Sequence, residues 1–317
     1  MNSRPTPLER PIAGSPSDNS AELNVMFKHI LVPLDGSSFG EAALRPAFAL
    51  AERNTTTKVT LLSVQDLWSG TATELPYEER ESYLQKLARG RSDARCVVRC
   101  GHPTDQILEE AESSGTDLIV MSTHGRGGVS RLWLGSVADQ CLRHTDIPLL
   151  LIRPQPSERL SANAAFAPHR VIVPLDGTLG AEVALRRAKS LAHTFGVPVA
   201  LVRAVEDRTP NGRGEKVAQA RAYLETVATR LRAGGLSVTT QVPADVHAAD
   251  AILGAAAGEP IVMRTHARAP VARALLGSVA DKVVRGARGV VLLIPPGGAE
   301  QVHALYEDGE SHARLSL

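Results

Sequence analysis

The chain has 317 residues, a length that fits two domains of about 150 residues, each large enough to bury its own core. A net charge of +1 and 3% aromatic residues argue against nucleic acid and anionic membranes as partners, which call for a basic excess or stacking platforms. With 43% hydrophobic residues and no apolar run of about 18 residues, the composition is that of a soluble globular protein without a membrane span.

Residues 1–25 are polar and Pro-rich, lack the apolar core of a secretory signal, and are expected to form a flexible tail on a cytoplasmic protein. A strand follows from Lys28 to Leu34. The box "SFGE", Ser38 to Glu41, is expected to open a helix running to about Arg53, kinked at Pro46. Next come a strand from Lys58 to Val64, a helix from Glu74 to Arg89 and a strand from Arg95 to Cys100. A helix from Thr104 to Ser113, a strand from Asp117 to Ser122, a long glycine-punctuated loop, a helix from Ser136 to His144 and a strand from Leu149 to Arg153 complete this half. Cys96, Cys100 and Cys141 show no C-x-x-C spacing and read as reduced, mostly buried small residues.

The chain then repeats itself. "HILVPLDGSSFGEAALRPAFALA" returns as "HRVIVPLDGTLGAEVALRRAKSLA", and "VMSTHGRGGVSRLWLGSVAD" returns as "VMRTHARAPVARALLGSVAD" at nearly the same offset. A Pro/Ser/Ala-rich linker at 154–168 separates domain 26–153 from domain 169–296, and 297–317 forms a second tail. The second half is read as strands near Arg170 to Leu175, Pro198 to Val205, Ser237 to Val242, Ile261 to Arg264 and Val290 to Ile294. Its helices run from about Ala181 to Phe195, Glu215 to Ala233, Ala248 to Ala257 and Ser278 to Arg285. Strands separated by helices imply right-handed βαβ crossovers, hence an α/β fold with two tandem, Rossmann-like, doubly wound parallel sheets.

Ligands of such sheets bind outside the carboxyl ends of the strands, where the chain order reverses. Asp35 directly follows the first strand and Asp176 recurs in the same setting. Each is suited to accept from a ribose hydroxyl or hold a cation, or simply to make the turn into the following helix. Gly125, Gly127 and Gly128, then Gly135 and Ser136 before a helix, let a ligand approach the main chain, and a helix N-terminus favours anions. A mobile loop ending in an ordinary S-x-x-D cap, Ser136 with Asp139, is the plain alternative. No Lys follows the glycines, so this is not a Walker A loop, nor is it G-x-G-x-x-G.

These residues resemble the universal stress proteins in their tandem two-domain form. Nucleotide-binding members are similar to G-x2-G-x9-G-[ST], and Ser122, Gly125, Gly135 and Ser136 fall on that spacing with serine replacing the first glycine. The resemblance implies a five-stranded parallel sheet of order 3-2-1-4-5 in each half, ATP as ligand with Mg2+, and pairing through the last strands, as an internal pseudo-dimer or a homodimer. It assigns Asp35 to the ribose, Val64 and Met121 to the adenine pocket, and Ser122, Gly125, Gly135 and Ser136 to the phosphates. Val64 and Met121 would be core residues in any such fold.

The second half carries Asp176, Ala204, Arg264, Gly277 and Ser278 at the matching positions, with Arg264 and Ala267 replacing the first two glycines. Its site is expected to bind ATP weakly or not at all, Arg264 either meeting phosphate or filling the pocket. Neither half offers a nucleophile with its base, a carboxylate pair or metal-ligand spacing. His124 and His266 are read as loop-holding residues. An ATP-binding stress regulator that responds to an unidentified protein partner, and hydrolyses ATP slowly at most, is the leading expectation. The alternatives are an interaction module without nucleotide and an adenine-nucleotide α-hydrolase, whose glycine-rich first turn "LDGSSFG" matches poorly.

Overall fold

The computed structural model describes residues 27–66, 75–123, 134–153, 166–206, 213–265 and 276–296. The two tails, most of the linker, and His124, Gly125, Gly127, Gly128, His266 and Ala267 lie outside these residues. In the first half the strands are β1 (His29–Leu34), β2 (Lys58–Gln65), β3 (Ala94–Cys100), β4 (Leu118–Ser122) and β5 (Leu149–Ile152). Its helices are α1 (Leu44–Glu52), α2 (Tyr77–Leu87), α3 (Pro103–Ser113) and α4 (Ser136–His144). The second half has strands β6 (Val171–Pro174), β7 (Val199–Val202), β8 (Val238–Gln241), β9 (Ile261–Arg264) and β10 (Val291–Ile294). Its helices are α5 (Leu179–Glu182), α6 (Ala184–Phe195), α7 (Arg213–Ala233), α8 (Ala248–Ala256) and α9 (Ser278–Gly286).

The central strands are unbroken apolar runs because helices cover both faces: every residue of "LLLI" in β5 and of "VLLI" in β10 is buried. At the outer edge, β3 has no fully buried residue, with Arg95 and Cys100 exposed, and its Arg99 pairs with the buried Glu110 of α3 at 2.7 Å. Such charge at an open edge discourages pairing with another chain.

The segment after β1 departs from the single kinked helix expected from Ser38. A 3-10 turn at Gly40–Ala43 precedes α1, which places Pro46 third in the α-helix, within the first turn where its missing N–H has no intrahelical acceptor to lose. The capping box also does not form. The Ser37 hydroxyl, not that of Ser38, accepts from the Gly40 amide at 3.1 Å, and Glu41 instead accepts from the Tyr83 hydroxyl at 3.1 Å.

Strand order runs β3-β2-β1-β4-β5-β10-β9-β6-β7-β8. Each half therefore has the order 3-2-1-4-5, but the two do not form separate sheets: β5 and β10 pair antiparallel, Leu150 opposite Leu292, and join them into one ten-stranded sheet. Both neighbours of each last strand now lie within the chain, so the internal pseudo-dimer is formed and a homodimer through those strands has no edge left to use.

Two hydrophobic clusters, one on each face, run across the junction. One includes Leu44, Ala47 and Leu84 of the first half with Leu185, Ala188 and Leu224 of the second. The other joins Ile107, Ala138 and Cys141 to Ala249, Ile252 and Val283. The halves are also tied by cation–π contacts, Arg187 over Phe27 at 4.7 Å and Arg53 over Phe195 at 5.2 Å. The Arg153 guanidinium donates to the Arg285 carbonyl. No helix among the described residues is long and apolar enough to cross a membrane.

Two outcomes follow from this packing. Leu292 is 1% exposed at the junction, so Leu292→Ala is expected to lower stability by about 2–5 kcal/mol while urea unfolding stays a single transition; two resolved transitions in the native chain would mean that the halves fold independently. Burial pushes the Cys141 thiol up to about 12, whereas Cys100 is exposed. At pH 8 a thiol reagent should therefore label Cys100 rapidly and Cys141 only after unfolding.

Candidate functional site

The chain order reverses between β1 and β4, which opens a crevice beyond the carboxyl ends of these strands. Asp35 stands there. Its Oδ1 accepts from the Ser37 amide at 3.0 Å and the Ser37 hydroxyl at 2.6 Å, which fixes the carboxylate over the turn. Gly36 reaches a φ of 83°, the left-handed conformation that this turn requires. Gly40 is needed for space: a Cβ there would lie 2.6 Å from Asp35 Oδ1. The turn role given as the plain reading of Asp35 is thus real.

Beside it, near the end of β2, Val64 is half-buried against the second hydrophobic cluster, and β4 ends with Met121, 5% exposed, and Ser122. Met121 is a core residue of the same cluster. After Ser122, the Thr123 amide donates to the Ile152 carbonyl at 2.8 Å, and the Thr123 carbonyl accepts from the Gly135 amide at 2.8 Å. The loop is therefore closed at its base, which brings Gly135 back to the end of β4.

Gly135 has a φ of −56°, so glycine is not required there by backbone conformation. Close packing requires it, since an added Cβ would lie 3.0 Å from the Thr123 carbonyl oxygen. Gly135 is the N-cap of α4, so the plain alternative, an S-x-x-D cap at Ser136, does not form, and Asp139 pairs with Arg143 at 2.7 Å. A glycine cap has no side chain to give, and the amides of Ser136, Val137 and Ala138 lack intrahelical acceptors by position. Amide hydrogens and the helix dipole together make this helix start suited to an anion.

The second half repeats the frame. Asp176 Oδ1 accepts from the Thr178 amide at 2.9 Å and its hydroxyl at 2.7 Å, and Gly177 has a φ of 93°. Gly277 caps α9 with nearly the same backbone angles as Gly135, ahead of Ser278. The contents differ. Asp176 is exposed where Asp35 is half-buried, and Ala204 replaces Val64. Arg264, at the Ser122 position, donates from Nη2 to the Pro296 carbonyl at 3.0 Å, while its Nε is buried without a hydrogen-bond partner among the described residues. Burial lowers the pKa of this guanidinium. Of the two roles expected for Arg264, the structure has it bonded to the end of its own sheet.

Because β5 and β10 run antiparallel, the carboxyl ends of the two halves lie on opposite edges of the sheet. Asp35, Val64, Ser122, Gly135 and Ser136 therefore gather on one edge, and Asp176, Ala204, Arg264, Gly277 and Ser278 on the other. The described residues include no cluster of His, Cys, Asp or Glu that could hold a metal by itself. Sequence reasoning missed Ser37, Gly40 and Arg80; the last is fully buried and donates to Ser63 and to the Val64 carbonyl. No local pattern separates it from the other charged residues of α2.

Comparison with known proteins agrees with this fold. The description of the universal stress protein family matches residues 26–153 and again 168–295. A universal stress protein of Methanocaldococcus jannaschii is 29% identical over 143 residues, 40% of this chain and 83% of that protein. One of Mycobacterium tuberculosis is 29% identical over 157 residues, 45% of this chain and 51% of that protein, so the match spans about half of that relative's length. The crystal structure of a universal stress protein from Archaeoglobus fulgidus superposes with a TM-score of 0.67 at 20% identity, covering 85% of this chain and 99% of that one, a likeness of fold. With the family's pattern matched in both halves, the chain belongs to the universal stress protein family.

Proposed function

We propose that this protein is a cytoplasmic, ATP-binding stress regulator whose nucleotide sits in the first half. The observation that carries the reading is the meeting, at one switch point, of a carboxylate fixed by its own turn and a helix start capped only by glycine. Asp35 would accept from the ribose hydroxyls, Val64 and the end of Met121 would flank the adenine, and Ser122, Gly125, Gly135 and Ser136 would hold the phosphates. Mg2+ would neutralise phosphate charge when bound with the nucleotide. This chain's own part is to orient the carboxylate through Ser37 and to present the first amides of α4.

In the second half, the frame of Asp176, Gly277 and Ser278 persists, yet Arg264 is committed to Pro296 and Ala204 offers less surface to a base. We propose that this half binds ATP weakly or not at all. Occupancy of the first half would then be the signal, read by a protein partner. This reading has ATP retained, with slow hydrolysis at most.

Calorimetry with ATP and Mg2+ should give one tight site per chain. Two equally tight sites would contradict the asymmetry, and no binding would favour an interaction module. Release of AMP and pyrophosphate on incubation would favour the α-hydrolase reading. Asp35→Ala removes hydrogen bonds to a charged acceptor, and should weaken ATP binding by about 10- to 100-fold with the fold intact. Gly125→Arg should do the same by filling the loop. Gly40→Ala, whose methyl would meet Asp35 Oδ1, should also weaken ATP by displacing the Asp35 carboxylate; unchanged affinity in all three variants would overturn the site assignment.

A further inference from the structure

A buried guanidinium is costly unless its donors are used, and helix α2 buries one completely. Arg80 donates from Nη1 to the Ser63 hydroxyl at 2.9 Å and to the Val64 carbonyl at 3.0 Å. The position of that carbonyl matters. The β1–β2 ladder ends at Leu34 opposite Ser63, so Val64 is the first residue of β2 beyond it. Arg80 supplies an anchor where the ladder stops.

The second half has the same charge from the opposite side. Pro33 pairs with Leu62, and Pro174 of the repeated "VPLDG" pairs with Val202, so Arg203 stands where Ser63 does and Ala204 where Val64 does. The helices match through Tyr83 and Tyr223, whose hydroxyls donate to Glu41 and Glu182 at 3.1 and 3.0 Å. Three residues earlier, Ala220 stands where Arg80 does. Arginine and small residue have changed places between strand and helix.

The exchange changes what the guanidinium holds. Arg203 lies over the Tyr223 ring at 5.0 Å, and a Cβ on Gly177 would be 2.8–2.9 Å from its guanidinium atoms. It is thus packed on the turn that carries Asp176. The methyl of Ala220 has no donor for the Ala204 carbonyl. We propose that Arg80 is a positioning residue for the first site, fixing the end of β2 on which the adenine rests, and that the exchange to Arg203 withdraws this anchor in the second half and crowds its Asp turn. The inference rests on the ATP reading above.

The test is to give the first half the arrangement of the second, Ser63→Arg with Arg80→Ala, in the full chain. Arg80→Ala alone leaves a buried cavity and can fail to fold; the paired exchange has a precedent within this chain, and thermal unfolding without nucleotide should be close to that of the native chain. Calorimetry should then show ATP affinity reduced about tenfold or more, with affinity for inorganic tripolyphosphate unchanged, because the phosphate-facing helix start is untouched. Arg80→Lys, which keeps the charge without the planar fork, should fall between the two. Unchanged ATP affinity in the exchanged chain, or equal losses for ATP and tripolyphosphate, would overturn the positioning role alone. A native chain that binds no ATP would overturn the functional reading and this inference with it.

Discussion

The antiparallel pairing of β5 with β10 sets the terms for everything else in this molecule. It turns two doubly wound units into one sheet, joins the helical layers on each face, and uses the last-strand edges that a separate dimer would need. It also reverses one unit against the other. A switch-point crevice lies at the carboxyl ends of its own strands, so reversal puts the two crevices on opposite edges, and no small ligand can touch both. Each half therefore has to complete its site from its own residues, and each is free to diverge.

Divergence has spared the frame and altered the contents. The Asp-Gly-Ser/Thr turn and the glycine-capped helix start occur in both halves with nearly the same hydrogen bonds and backbone angles. Those features are demanded by how a strand hands over to a helix at close quarters, and they would survive without any ligand. What differs is charge and size: Ser122 against Arg264, Val64 against Ala204, and a guanidinium supplied by the helix in one half and by the strand in the other. A cation bonded to the carbonyl just beyond β10 or stacked on a tyrosine is already partnered, so its presence near a crevice does not by itself make the crevice attract phosphate.

The sequence made the repeat, the alternation of strand and helix, and the strand-end position of Asp35 legible, because each depends on local pattern. Helix α4 begins at Ser136 as its motif suggests. The cap expected at Ser38 and the one open as an alternative at Ser136 do not form, because Asp and Glu at cap spacing have other partners in the folded chain, Arg143 for Asp139 and Tyr83 for Glu41. Pro46 pointed to a kink, whereas a 3-10 turn before α1 removes the conflict. Arg80 was hidden because it sits among the charged residues of "YEERESYLQKL", and only the tertiary contact to Ser63 separates it from its solvated neighbours. The motif suggests Gly135 for close approach of a ligand; its structural reason is a carbonyl 3.0 Å from where a methyl would sit, which no local pattern reveals.

The central claim is that one frame, built twice, serves as a nucleotide site on one edge only. The measurement that reaches it most directly is a crystal structure of the full chain grown with excess ATP and Mg2+. The account predicts nucleotide density between Asp35, Val64 and the Gly135–Ser136 start of α4, and none between Asp176, Arg203 and the Gly277–Ser278 start of α9. Density of equal strength on both edges, or on the second alone, would contradict it.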